Sequence, residues 1–166
     1  MESPSTRLAE VGSYADFMSR AYAMEQEAVE RYTSFADQLD RAGNREVALV
    51  FRDLAKAEGL HARRILTEMG WAKPPALPSA FAWKGSDGPE TPSLDAPRGP
   101  IDAPQALKIA LECELRAREY FESIALGGAP AQVRAVAAEM ALEERDHAHM
   151  IQYWLSRMPR PLFGWG

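Results

Sequence analysis

The sequence predicts an all-α fold: four helices forming a four-helix bundle of two antiparallel hairpins joined by one long crossover. Three observations carry this. Apolar residues recur at helical spacing through four long segments. Short breaks at Gly43–Asn44 and Gly127–Gly128 can turn one helix back on the next. Between the second and third segments, residues 71–104 hold eight of the twelve prolines, so a helix is not expected there.

The first helix is expected over about residues 13–42. Ser13, with Asp16 three residues on, resembles a capping box, and Gly43–Asn44 ends the segment. The second is expected over 44–69, where Gly70 can take the left-handed stop. The third is expected over 103–127, opened by Asp102 in "DAPQ", and "GGAP" breaks the chain after it. The fourth is expected over 130–158, with Pro130 in its first turn and Pro159 just past its end. The crossover, 70–102, carries Trp71, Leu77, Phe81, Trp83 and Leu94, apolar anchors that a pure linker lacks. A helix of 28 residues is roughly 42 Å long, and 34 extended residues reach roughly 110 Å, so such a connection can run the length of a bundle.

The 166 residues suit one domain with one core, expected to span 1–166. Acidic residues exceed basic ones by 24 − 19 = 5, which argues against nucleic acid or an anionic membrane as partner. No apolar run approaches the ~20 residues of a membrane span, and the N-terminus does not read as a secretory signal. Cys113 is the only cysteine, which excludes an internal disulfide and any Cys-x-x-Cys metal site. A reducing, cytoplasmic setting is expected.

Within this frame the two halves repeat one pattern. The first helix has Glu25, Ala28, Tyr32 and Ala36; the third has Glu114, Ala117, Phe121 and Ala125 at the same spacing. The second and fourth match through Leu54/Met140, Ala55/Ala141, Glu58/Glu144, His61/His147, Ala62/Ala148 and Ile65/Ile151. Each half therefore has one lone glutamate and one Glu-x-x-His. Glu58 and His61 fall inside the apolar stripe Val47, Phe51, Leu54, Ile65, and Glu144 and His147 inside Val133, Val136, Met140, Ile151, Trp154. Glu25 and Glu114 lie on apolar faces of their own helices.

Four glutamates and two histidines thus point into the core. Burying unpaired carboxylates costs several kcal/mol each, and neighbours repel. No Lys or Arg shares their stripes. Two divalent cations would balance four carboxylates, and the i,i+3 spacing lets one ion meet both Glu and His. All six lie roughly 14–19 residues from their hairpin turn, which at ~1.5 Å per residue brings them to one level. A single Glu-x-x-His is usually a solvated face; two pairs with two matching glutamates are hard to obtain by accident. Glu25, Glu58, His61, Glu114, Glu144 and His147 are the expected metal ligands. His149 is expected at the surface. Glu27, Glu30, Glu112, Glu119 and Glu143 are expected on solvated faces, Cys113 as a small buried thiol, and the closing "PRPLFGWG" as a docked terminus.

On these residues the sequence resembles the ferritin-like diiron carboxylate proteins, rubrerythrins in particular. "AYAMEQEAVERYTSFA" (21–36) is similar to the rubrerythrin first helix, in which a metal-binding Glu precedes a Tyr by seven, as Glu25 precedes Tyr32. The resemblance implies a ferritin-like bundle holding two iron ions, with zinc or manganese as alternatives. It implies Glu58 and Glu144 as bridges, Glu25 and Glu114 as terminal ligands, and His61 and His147 on one ion each. Tyr32 reads equally as a group that hydrogen-bonds a metal ligand or takes part in redox chemistry and as a buried aromatic whose hydroxyl found a partner.

The implied activity is reduction of H2O2 or O2, or oxidation of Fe(II). Two other functions stay open: a diiron hydroxylase acting on an organic substrate, and a non-catalytic metal-binding bundle. Rubrerythrins usually carry a four-cysteine rubredoxin-like module, so an external electron donor is expected here. Many have a further glutamate where this sequence has Ala117, which makes the site resemble the symmetric bacterioferritin type. Only about eight residues follow the fourth helix, two of them proline, so a storage cage is not expected. A homodimer is the expected assembly.

Overall fold

The structure is a computed structural model and describes residues 13–75 and 100–159. Four helices make it up: α1 (Tyr14–Arg41), α2 (Arg45–Met69), α3 (Ala103–Ala125) and α4 (Ala131–Ser156). No strand occurs among the described residues.

Local chemistry fixes the ends. The Ser13 hydroxyl accepts from the Asp16 amide at 3.1 Å and starts α1. Gly43, at φ +84°, turns the chain, and Asn44 caps α2 by accepting from the Val47 amide. Gly70, at φ +65°, ends α2 in the left-handed region, while the Trp71 amide reaches back to the Leu66 carbonyl. A Cβ at Gly43 or Gly70 would meet nothing within 4 Å. The cost of substitution there is therefore conformational, roughly 1–2 kcal/mol. Asp102 and Gln105 form a full capping box at α3. Pro130 stands just outside α4 as its N-cap rather than in its first turn, and no side chain caps that end. The last turn of α4 tightens, with the Arg157 and Met158 amides reaching the carbonyls three residues back before Pro159.

α1 packs along α2, and α3 along α4, as two antiparallel hairpins. The buried apolar residues form two clusters. One joins Phe17, Met18 and Met24 of α1 to Ile65, Phe121, Ile124, Val133 and Met140. The other joins Tyr32, Phe35 and Leu39 to Phe51, Leu54, Leu107 and Ile151. Each draws on all four helices, and burying a side chain such as Phe51 contributes roughly 1.5–3 kcal/mol. The first cluster holds the C-terminal halves of both α2 and α3, so these two helices run parallel. α2 ends and α3 begins at opposite ends of the bundle. The body of the expected crossover, with Leu77, Phe81, Trp83 and Leu94, lies outside the described residues, as does the aromatic C-terminus after Pro159. Trp71 is described and packs against the first cluster.

Candidate metal centre

Between the two apolar clusters sits a polar layer. Glu25 follows Met24 of one cluster and precedes Ala28 of the other; Glu58 stands between Leu54 and Ala62, and Glu114 between Ala110 and Ala117. Helical periodicity forces this: a polar residue in the middle of an apolar stripe must interrupt the core at its own level. Glu25, Glu58 and Glu144 are 0% exposed and Glu114 is 2%. They are the buried charged residues of the described chain.

The structure brings all six expected ligands together. Donor atoms of Glu25, Glu58 and His61 lie within 4.8 Å of one another, as do those of Glu58, Glu114, Glu144 and His147. Glu58 belongs to both groups. Its Oε2 is 3.3 Å from His61 Nδ1 and its Oε1 is 3.0 Å from His147 Nδ1. His61 Nδ1 is also 3.7 Å from Glu25, and His147 Nδ1 is 3.5 Å from Glu144 and 3.7 Å from Glu114. Glu144, expected to bridge as Glu58 does, falls in the His147 group alone. The imidazoles stack with centroids 5.7 Å apart and planes 14° from parallel. Their side chains keep 16% and 14% exposure, so the layer meets solvent at its histidine edge.

The donor set passes a test of fit to cations. Both oxygens of Glu58 and of Glu144, Oε2 of Glu114 and Nδ1 of both histidines are buried without a well-formed hydrogen bond. Such groups are costly unless something else satisfies them. Oxygen-rich sites with imidazole nitrogen suit iron, manganese or zinc. Without metal the charges sort themselves unevenly. Burial pushes Glu144 well above the ordinary carboxylate range, and the charges of Glu58 and Glu114 add to this. Burial would do the same to Glu58, but the His147 and His61 imidazoles, with Glu25, outweigh it and hold Glu58 low. Burial opposes a charged His147, yet Glu114, Glu144 and Glu58 together raise it far above its ordinary value.

Tyr32 is buried, and its hydroxyl donates to Glu114 Oε1 at 2.5 Å. It therefore ties α1 to the opposite hairpin. Its ring packs on Phe51 and Phe35. Ala117 and Cys113 are fully buried, and His149 is exposed.

Glu143 corrects the expectation of a solvated face. It is 27% exposed, its Oε2 lies 3.5 Å from His61 Nε2, and Arg64 Nη2 donates to both its oxygens at 2.9 and 3.2 Å. The only sequence signal was its place beside Glu144, because the contact joins α4 to α2. Glu27 is likewise half-buried, whereas Glu30 and Glu119 are exposed.

A family model described as Rubrerythrin matches residues 16–76, which takes in α1 and α2. The chain is also similar to the crystal structure of an uncharacterized conserved protein from Magnetospirillum magnetotacticum MS-1. The TM-score is 0.75 and the identity 31%, over 90% of this chain and 97% of that one. Among curated proteins nothing matches significantly. No helix among the described residues is long and apolar enough to cross a membrane.

Proposed function

The chain belongs to the rubrerythrin family of ferritin-like proteins, and from that premise we propose a non-haem diiron protein that reduces H2O2 or O2, with oxidation of Fe(II) as the coupled reaction. The observation that carries this is Glu58, whose two oxygens face two different imidazoles within two overlapping donor groups. One ion would be held by Glu25, Glu58 and His61, and the other by Glu58, Glu114, Glu144 and His147. Two adjacent Fe(II) ions, when bound, supply the two electrons that split a peroxide O–O bond without releasing a radical.

The chain's own residues set the conditions for that chemistry. The four carboxylates would offset the charge of two divalent ions in a site flanked by the two apolar clusters. Tyr32 fixes the orientation of Glu114 through a charge-assisted hydrogen bond. The histidine edge is the route for a small oxidant, because the carboxylates behind it are closed to solvent. Cys113, the one cysteine of these 166 residues, cannot alone hold a cysteine-ligated redox centre, so the electrons that refill the site would come from a donor outside the bundle.

The test is anaerobic loading with Fe(II), then mixing with O2 or H2O2 while optical spectra are recorded. Two Fe(II) per chain and rapid single-turnover oxidation are expected, with slow steady turnover until a donor is added. Ferrous protein that stays unoxidised under both oxidants for hours would leave a structural metal bundle in place of the enzyme.

A further inference from the structure

Outside the six ligands, Tyr32 contacts Glu114 and Glu143 contacts His61. Glu143 lies on α4, one residue before Glu144, yet it reaches across to α2. There it is held between two groups of one helix face: the Arg64 guanidinium, and His61 one turn earlier. As a partly exposed ion pair the Arg64–Glu143 contact alone contributes little to stability. Its placement is what matters. The His61 ring turns Nδ1 inward to Glu58 and Glu25 and Nε2 outward to Glu143. An imidazole that binds a cation through one nitrogen carries its proton on the other, and a carboxylate there fixes both tautomer and ring plane.

The other half has no equivalent. In the repeat that aligns Glu58 with Glu144, the place of Glu143 is taken by Ala57 and that of Arg64 by Met150. Ala57 has no carboxyl group to offer His147. The six ligands are therefore nearly symmetric while the support of their histidines is not.

We infer that Glu143, clamped by Arg64, is a positioning residue for His61 and makes the two metal positions unequal. It touches neither substrate nor metal; it holds the His61 ring with Nδ1 inward and the proton on Nε2. This inference rests on the two-ion reading above, and its test separates the two. Zn(II), which is redox-silent, is titrated calorimetrically into the full-length wild type, E143A, E143Q and the surface control E119A. Histidine ring nitrogens are followed by NMR in the Zn(II)-loaded forms.

The wild type should take two Zn(II) per chain. E143A should still take two, with affinity for one of them lower by roughly 10–100-fold and the other unchanged. The His61 Nε2–H signal should be slow to exchange in the wild type and fast in E143A. E143Q keeps an oxygen acceptor and should recover most of both. E119A should match the wild type. If E143A binds both ions as the wild type does, or weakens both equally, the positioning role is overturned while the two-ion reading stands. If the wild type itself takes fewer than two Zn(II), the two-ion reading fails and this inference falls with it.

Discussion

Tyr32 and Phe121 occupy matching places, each seven residues after the lone glutamate of its hairpin. Only Tyr32 has a hydroxyl, and it donates across the bundle to Glu114. Phe121 instead packs edge-on against Phe17 within the apolar cluster. The histidines differ in the same way. His61 has Glu143 behind it, and Ala57 stands in the corresponding place for His147. The first hairpin thus lends a phenol to the second, and the second lends a carboxylate to the first. The comparison teaches that a duplicated ligand pattern does not make a symmetric centre. The six donors repeat, while the groups that orient them are exchanged one way each.

The sharpest way to break this comparison is through the two Glu-x-x-His glutamates. Because Glu58 joins both donor groups and Glu144 only one, Glu58→Ala should abolish binding of both Fe(II) ions. Glu144→Ala should leave the Glu25–Glu58–His61 ion in place. Metal content after anaerobic loading separates these outcomes; equal losses in the two variants would restore a symmetric centre.

Next in size is the coupling of metal to stability. Binding to the folded chain alone contributes about 2.7 kcal/mol at one hundred times the dissociation constant. For a chain of this length that corresponds to roughly 2–4 °C per kcal/mol in Tm. Calorimetric melting with and without Zn(II) should show the rise in the wild type and none in the Glu58→Ala, Glu144→Ala double variant. A rise that persists in the double variant would place the metal elsewhere.

A smaller effect tests the exchanged phenol. Tyr32→Phe removes a buried hydrogen bond to a carboxylate, a change worth roughly 1.5–3 kcal/mol. Denaturant unfolding of the metal-free chain should register that loss. No loss would mean that the hydroxyl contributes nothing to holding Glu114.

A further test of the comparison is pH dependence. Glu144 and His147 both hold protons more tightly folded than unfolded. Their stabilisation is present below their ordinary values of 4.5 and 6.5 and is lost as pH rises toward the folded ones. Glu58 works the other way: its contribution is present above 4.5 and is lost as pH falls. The metal-free chain should therefore melt lower at pH 9 than at pH 6. Metal competes with the protons that Glu144 and His147 hold more tightly in the folded chain, so loading should release protons and tighten as pH rises. Melts at the two pH values, with chelator or with Zn(II), check the sign; a metal-free chain more stable at pH 9 would contradict it.

Much of this molecule follows from the sequence by itself, because a helix is a local object. Ser13, Gly43, Asn44, Gly70 and Asp102 mark helix ends through bonds to residues three or four away. The 3.6-residue period alone puts Glu25, Glu58, Glu114 and Glu144 on faces that must be buried. The counterion argument for metal needs nothing more than that burial. What the tertiary structure decided are the contacts between helices far apart in the chain. Tyr32 reaches Glu114, 82 residues away, and Glu143 lies 79 residues from the Arg64 that holds it. Glu58, and not Glu144, turned out to face both imidazoles. Periodicity says which face of a helix is buried, but not which residue on a facing helix will lie opposite. That depends on the offset and rotation of one hairpin against the other, set by packing the two apolar clusters on either side of the polar layer.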